Sequence, residues 1–389
     1  MTDTTVKYFH SEMAGAPTLT GTPGSQIAVL DACLINGFGL VSVTSAVVAG
    51  NVATLNVGAG HSFTVGTVAL VAGVTSPAEL NGEAKVTAIT ANSISFATAG
   101  ISNQTATGTI TAKLAGAGWL KAFNATNTAA YKSADGASSG CYCRVDDTNA
   151  TMTRVVGYES MSDINTGTGQ FPTNNQLAGG YFWQKSVFAD STQVKWLVFA
   201  DARAFYLVRY PAMSSYPGVA EITYFGDIVP TKSGDAYACG ITGNAYSHPG
   251  QFQATAAQLM YSAVAAAEFY CARSYSGLGG AVQMGRTFPL MYSDTNVYSG
   301  AIPSATSFPN PADGGVYAVN FNLVEFGSKA YRGVLPGALA IPQSNAYTIL
   351  ANKDLIVGQG DLAGRSLRAV TSTGYLNAAM FFDVTGPWR

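Results

Sequence analysis

Five cysteines, three histidines and a handful of loop carboxylates are the side chains of this chain with chemistry to offer. Cys141-Tyr142-Cys143 is the tightest pair of soft donors. In a strand, residues i and i+2 share a face, so both thiols would address one metal ion. A metal knuckle, however, needs Cys-x2-Cys with a second pair downstream, and Cys239 and Cys271 stand singly. Burial as small hydrophobes is the simpler reading. His10, His61 and His248 share no helix or turn spacing, and each reads as a structural or surface residue. Asp146-Asp147, Asp227 and Asp235 lie near strand ends, where turn acids bond their own backbone. A glycosidase pair would have to face across a cleft, and the spaced Asp-x-Asp-x-Asp-Gly calcium loop is absent. Thr166-Gly167-Thr168-Gly169-Gln170 is glycine-rich, but Pro172 replaces the third glycine of a dinucleotide loop, and it reads as a flexible loop. No constellation survives as an active site, so neither enzyme activity nor a metal or cofactor is expected.

The elements that hold these residues are built from a sparingly charged chain. Only 11% of its 389 residues are charged, against roughly 25% in ordinary soluble domains. Tyr (20) and Phe (19) are plentiful, and low charge with many aromatics is the make-up of large permanent protein contacts. A secreted β protein with a Ser/Thr/Gly surface is the plain alternative. The net charge of −2 comes without a basic block, so counterion-release binding to nucleic acid is not expected. The opening MTDTTVKYFHSEM has no apolar core, so no signal peptide is expected. No apolar run is long enough to span a membrane. The odd cysteine count suits a reduced compartment better than a disulfide framework.

The chain reads as mainly β and multidomain, with one or two helices. Residues 1–37 form an N-terminal arm and a short helix, Ser25 capping Gln26 to Asn36 and Gly37 stopping it. Residues 38–115 form an inserted β-sandwich-like module. Its strands are expected near 41–48, 52–57, 61–65, 67–72, 84–90, 93–98 and 107–113, with a reversal at Asn81-Gly82. The ends of this module should lie close together, as insertions require. Residues 116–389 form a β-rich body. Its strands are expected at 181–183, 194–199, 204–210, 221–225, 236–240, 316–325, 345–357 and 380–384, with an all-round apolar helix near 256–272.

Several stretches together resemble virion structural proteins of tailed bacteriophages. At the start these are Lys7-Tyr8-Phe9-His10-Ser11 and Ile27-Ala28-Val29-Leu30-Asp31-Ala32-Cys33-Leu34. Further along they are Val65-Gly66-Thr67-Val68, Ser93-Ile94-Ser95-Phe96, Lys232-Ser233-Gly234-Asp235 and Arg332-Gly333-Val334-Leu335-Pro336-Gly337. The resemblance is to uncharacterised head and tail components. It implies assembly into a particle in the bacterial host cytoplasm, with other virion proteins and further copies of this chain as partners, and supplies no catalytic residues.

On this reading the chain is a structural part of a tailed-phage virion, tail-associated at the baseplate or tail tip. A capsid decoration or cement protein is the alternative, and a module that binds a host-surface glycan is another. Residues 1–24 would then lie along a neighbouring subunit and order on assembly. Tyr8 and Phe9 in that arm, with Tyr181 and Trp183 in the body, are the candidate receptor or partner contacts. Core packing is the simpler account of the two body aromatics.

Overall fold

Alternation of apolar and polar residues passes directly into the module's strands. Ser45–Ala49 and Val52–Asn56 each bury every second residue. They pair antiparallel with Ala49 opposite Val52. The two-residue connection, Gly50 and Asn51, takes φ of 57° and 62°, the positive values a twisted hairpin requires. The computed structural model describes residues 3–211, 218–245, 269–287, 308–343, 345–374 and 377–389. Among these the protein is mainly β, with one α-helix and every strand ladder antiparallel.

The strands between residues 41 and 114 pair only with one another. Five form one sheet, in the order Gln104–Thr105, Ser45–Ala49, Val52–Asn56, Ser93–Ala97, Ala88–Ile89. Four form another, Val41–Ser42, Thr107–Leu114, Val68–Ser76, Gly82–Lys85. Val48, Leu55, Ile94 and Phe96 from the first share a buried core with Val71, Val74 and Ile110 from the second. The result is a small sandwich. Its ends lie side by side: Phe38 accepts from the Leu114 N–H at 2.9 Å, and Cys33 from the Ala117 N–H at 3.0 Å.

Three local expectations differ here. Residues 61–65 are loop rather than strand. The reversal precedes Asn81, through a single turn Ala78–Leu80. The Asn81 amide instead pairs with the backbone of Val74, accepting at 2.9 Å and donating at 2.8 Å, as a strand neighbour would. The N-terminal helix begins at Ser25, behind Gly24, and continues from Leu30 as a π-helix, Asp31–Asn36. The Ser25 hydroxyl donates to Thr20 O at 2.7 Å and caps nothing.

In the body, Trp119–Ala125, Thr128–Ser133, Tyr142–Asp146, Met152–Met161 and Gly167–Phe171 form one sheet. Tyr181–Gln184 pairs with the other half of Met152–Met161. The glycine-rich 166–170 stretch is therefore mostly strand, not flexible loop, because it has a ladder partner in residues 157–161. A second sheet runs from Lys7–His10 through Gln193–Ala200, Ala204–Tyr210, Glu221–Asp227, Cys239–Thr242, Phe269–Cys271 and Val282–Thr287. It continues through Val319–Glu325, Tyr331–Ala340, Ala378–Asp383 and Ser366–Ser372 to Leu355–Val357. This sheet curls so that strands near its two ends face each other. Phe199 stacks on Phe382 with ring centroids 4.1 Å apart, and the Tyr206 hydroxyl donates to Pro336 O at 2.8 Å.

The arm does not await a neighbour. Lys7–His10 pairs with residues 197–200 of its own chain, and Leu19–Thr20 pairs with Gln193 and Val194. The apolar residues Val6, Tyr8, Phe9, Met13 and Leu19 are what tie it down, all buried in the common core. The expected 236–240 strand is displaced to Cys239–Thr242, and only Leu355–Val357 of 345–357 is strand. Residues 256–268 of the expected helix lie outside the described residues. Its last turn is instead the strand Phe269–Cys271, which pairs with Gly240 to Thr242.

Candidate functional site

All five cysteines are free and buried. Cys141 and Cys143 flank Tyr142 at the start of one strand. The fold brings Cys239 against Cys141 and Ser139, while Cys271 lies opposite Gly240 on the next strand. Burial pushes the thiols of Cys33, Cys143 and Cys239 well above their ordinary range and that of Cys271 up to about 12. These are packing residues, poor as nucleophiles. Among the described residues, no group of three or more His, Cys, Asp or Glu side chains is arranged to hold a metal ion.

His10 is held at the end of its strand, where its ring nitrogen accepts from the Glu12 N–H at 3.3 Å. Burial, then Lys353, lowers its pKa to about 4. His61 is bonded to Thr90 O at 2.9 Å. His248 lies outside the described residues.

The carboxylates turn out to be internal braces. Asp147 accepts from the N–H groups of Gln26 and Ile27 at 2.8 and 3.2 Å, closing the N-terminus of the Ser25–Leu30 helix. Its other oxygen takes the buried Lys185 ammonium. Asp227 holds the Ser139 N–H at 3.1 Å and Arg203 Nε at 2.9 Å. Asp235 takes its own turn's Tyr237 N–H at 3.1 Å and also Arg332 at 2.7 Å. Arg332 reaches Glu325 as well, at 2.6 Å. Arg209 and Glu221 are fully buried together, where burial lifts the Glu221 carboxyl to about 7. Among the described residues, twelve Lys, Arg, Asp and Glu side chains are buried, in a chain with twenty basic and twenty-two acidic residues. The sequence reading placed Asp146-Asp147 near a loop but missed these long-range partners, for which no local signal exists.

The four candidate contact residues are also interior. Tyr8, Phe9, Tyr181 and Trp183 are at most 2% exposed. Trp183 Nε1 donates to Thr242 O at 2.7 Å, and Tyr8 stacks on Phe199 at 5.0 Å. Tyr181 and Trp183 share one buried strand face, while Tyr8 and Phe9 lie on opposite faces of Lys7–His10 and both faces are covered, so the folded chain does not present any of the four at its surface.

Two surface crevices stand out. One, of about 490 Å³, lies where residues 3–5 meet the module and is lined by Leu80, Glu83, Phe96 and Ile101. The other, of about 240 Å³, is lined by His10, Glu12, Lys195, Trp196 and Lys353. In each, a charged lining residue is already paired: Glu83 with Lys7, and Glu12 with Lys195 and Lys353. Neither gathers an acid, a base and a nucleophile around one point.

The distinctive chemical surface is the outer layer of the module, whose five-stranded sheet contains no Asp, Glu, Lys or Arg. Elsewhere in the module, Lys85 is buried, donating to Val6 O at 3.1 Å and Val384 O at 2.7 Å. Lys113 donates to Asn36 O at 2.7 Å. No protein-family model matches this chain, and neither does any curated protein. No helix among the described residues is long and apolar enough to cross a membrane.

Proposed function

We propose that this chain is a structural component of a tailed-phage virion, tail-associated at the baseplate or tail tip, acting by protein–protein assembly. The observation that carries the reading is the disposition of charge. A chain with few charges to begin with uses many of them as internal braces and leaves a whole sheet face without one. Such a surface is matched to another protein surface rather than to nucleic acid or a charged small substrate. The sequence resemblance to phage virion components supplies the kind of assembly, and the multidomain build with an inserted module favours the tail over the head.

Quantitative mass spectrometry of purified particles tests this. The expected result is a copy number of about three to twelve per virion, in keeping with the cyclic symmetry of such assemblies. Hundreds of copies would move the chain to the capsid surface as a decoration protein. Its absence from particles would end the virion reading.

A further inference from the structure

Asp147 and Lys185 are placed for a covalent step. Among the described residues theirs is the ion pair in which a lysine and a carboxylate are both wholly buried. Arg209–Glu221 and Arg332–Glu325 lie as deep, but a guanidinium stays protonated and is no nucleophile. Lys7 is buried too, but its partner Glu83 is 37% exposed.

Each atom that a condensation needs is held in its own way. Lys185 Nζ touches Asp147 Oδ1 and also donates to Thr22 O at 2.7 Å, which fixes its approach. The Thr153 hydroxyl donates to the same Oδ1 at 3.2 Å. Asp147 Oδ2 accepts from the N–H groups of Gln26 and Ile27 at 2.8 and 3.2 Å. One carboxylate oxygen thus rests on a pair of fixed donors, as an oxyanion requires, while the other faces the amine. Asp147, Thr153 and Lys185 are all at 0% exposure, so bulk water is kept from the reacting atoms.

The geometry points to an amide bond between Lys185 Nζ and Asp147 Cγ, closed by the folded chain itself. This inference does not depend on the virion reading. A proton first passes from the ammonium to Oδ1, leaving an amine and a carboxylic acid. Burial favours that transfer, because it raises the Asp147 carboxyl and lowers the Lys185 ammonium from their ordinary values. The nitrogen lone pair attacks Cγ, and the C=O electron pair moves onto Oδ2, where the two N–H groups meet its charge. As that pair returns, the Cγ–Oδ1 bond breaks. Oδ1 leaves as water, carrying the proton it took and a second one from the nitrogen. One amide and one water replace one ammonium and one carboxylate, and the step needs no co-reactant.

Proximity is what the fold supplies. The side-chain partners of Asp147 are Thr153 and Lys185, so among the described residues no second acid is bonded to it to shuttle the proton. Closure is therefore slow, and a freshly folded chain holds the open ion pair. The bond joins residues 38 apart, one just after Tyr142–Asp146 and the other just after Tyr181–Gln184. Those strands pair with Met152–Met161 from its two sides. The link consequently clasps three strands across their shared end.

Intact-mass spectrometry of the full chain, from purification through a week of incubation, tests the step. The expected product is lighter than the open chain by one water. After denaturation it should resist trypsin at Lys185 and yield a single joined peptide carrying both Asp147 and Lys185. Lys185→Arg keeps the charge without the amine and should hold its full mass. An unchanged wild-type mass overturns the inference, whether or not the variant folds. So does a loss of water that leaves Lys185 open to trypsin, the mark of a succinimide, or an equal loss in Lys185→Arg.

Discussion

Asp147 and Gln26, 121 residues apart, are joined by a buried hydrogen bond of 2.8 Å from the Gln26 N–H to the carboxylate. The same carboxylate pairs with Lys185, whose ammonium also donates to Thr22 O at 2.7 Å. One side chain thus fixes the start of the N-terminal helix, the loop after Tyr142–Asp146 and the segment after Tyr181–Gln184.

Asp147→Ala should therefore cost about 3–5 kcal/mol, because it leaves the Lys185 charge buried without its partner. Asp147→Ala combined with Lys185→Met should recover most of that, leaving about 1 kcal/mol for the uncapped helix. Urea unfolding of the two single variants and the double variant gives the cycle. Additive losses would show that the residues do not act as a pair.

His10 supplies a pH dependence. Its folded pKa is about 4, against an ordinary 6.5, set first by burial, then by Lys353, with Glu12 opposing and Arg368 adding to the repulsion. Between these values the unfolded chain binds a proton that the folded chain does not, so stability rises with pH. The contribution is complete above about 6.5 and is lost as pH falls towards 4. The stability gap between wild type and His10→Gln should narrow as pH is lowered through this window, read from urea midpoints. Parallel pH profiles would remove His10 as the cause.

The cysteines should be silent. With all five buried and thiolate formation disfavoured in Cys33, Cys143, Cys239 and Cys271 by burial, an aromatic disulfide reagent should label none within minutes in native protein. In denaturant it should label five. A single fast-reacting thiol in the native chain would contradict the packing described.

Gly37 marks the entry to the module, with φ 66° and ψ 175°. A Cβ there would sit 1.8 Å from Leu114 O, so Gly37→Ala should cost about 3 kcal/mol or more through strain and displacement. Gly50 has a similar φ of 57° but open space around it. Gly50→Ala should cost only about 1 kcal/mol. Equal effects on chemical unfolding would mean that the closeness of residues 37 and 114 carries no energy.

Period-two alternation in Ser93–Ala97 and a nearly unbroken apolar run in Ala204–Tyr210, buried at every position, marked strands close to those observed. The same alternation left the direction of a face open. Tyr181 and Trp183 read more simply as core than as a pocket lining, and both are indeed buried in the strand Tyr181–Gln184, which pairs with Met152–Met161. Capping was misjudged for a related reason: Ser25 has the right chemistry locally, but the acceptor that reaches the helix comes from Asp147. The 166–170 stretch read as loop by composition, and only its long-range ladder partner makes it strand. The neutral face of the module was present in the sequence as a run of uncharged residues, but its rows exist only once register is known.

The anchoring of the module also sets how force travels through the molecule. The chain enters and leaves at one spot, so those two connections alone would act as a pivot. Lys85, donating to Val6 O and Val384 O, supplies a second attachment, and Arg368, donating to Val65 O, a third. A pull on the outer sheet is consequently shared with residues beside the first and last long strands of the body. The module is mounted as a bracket rather than hung as a pendant, and tension on it draws the two ends of the polypeptide against the same load.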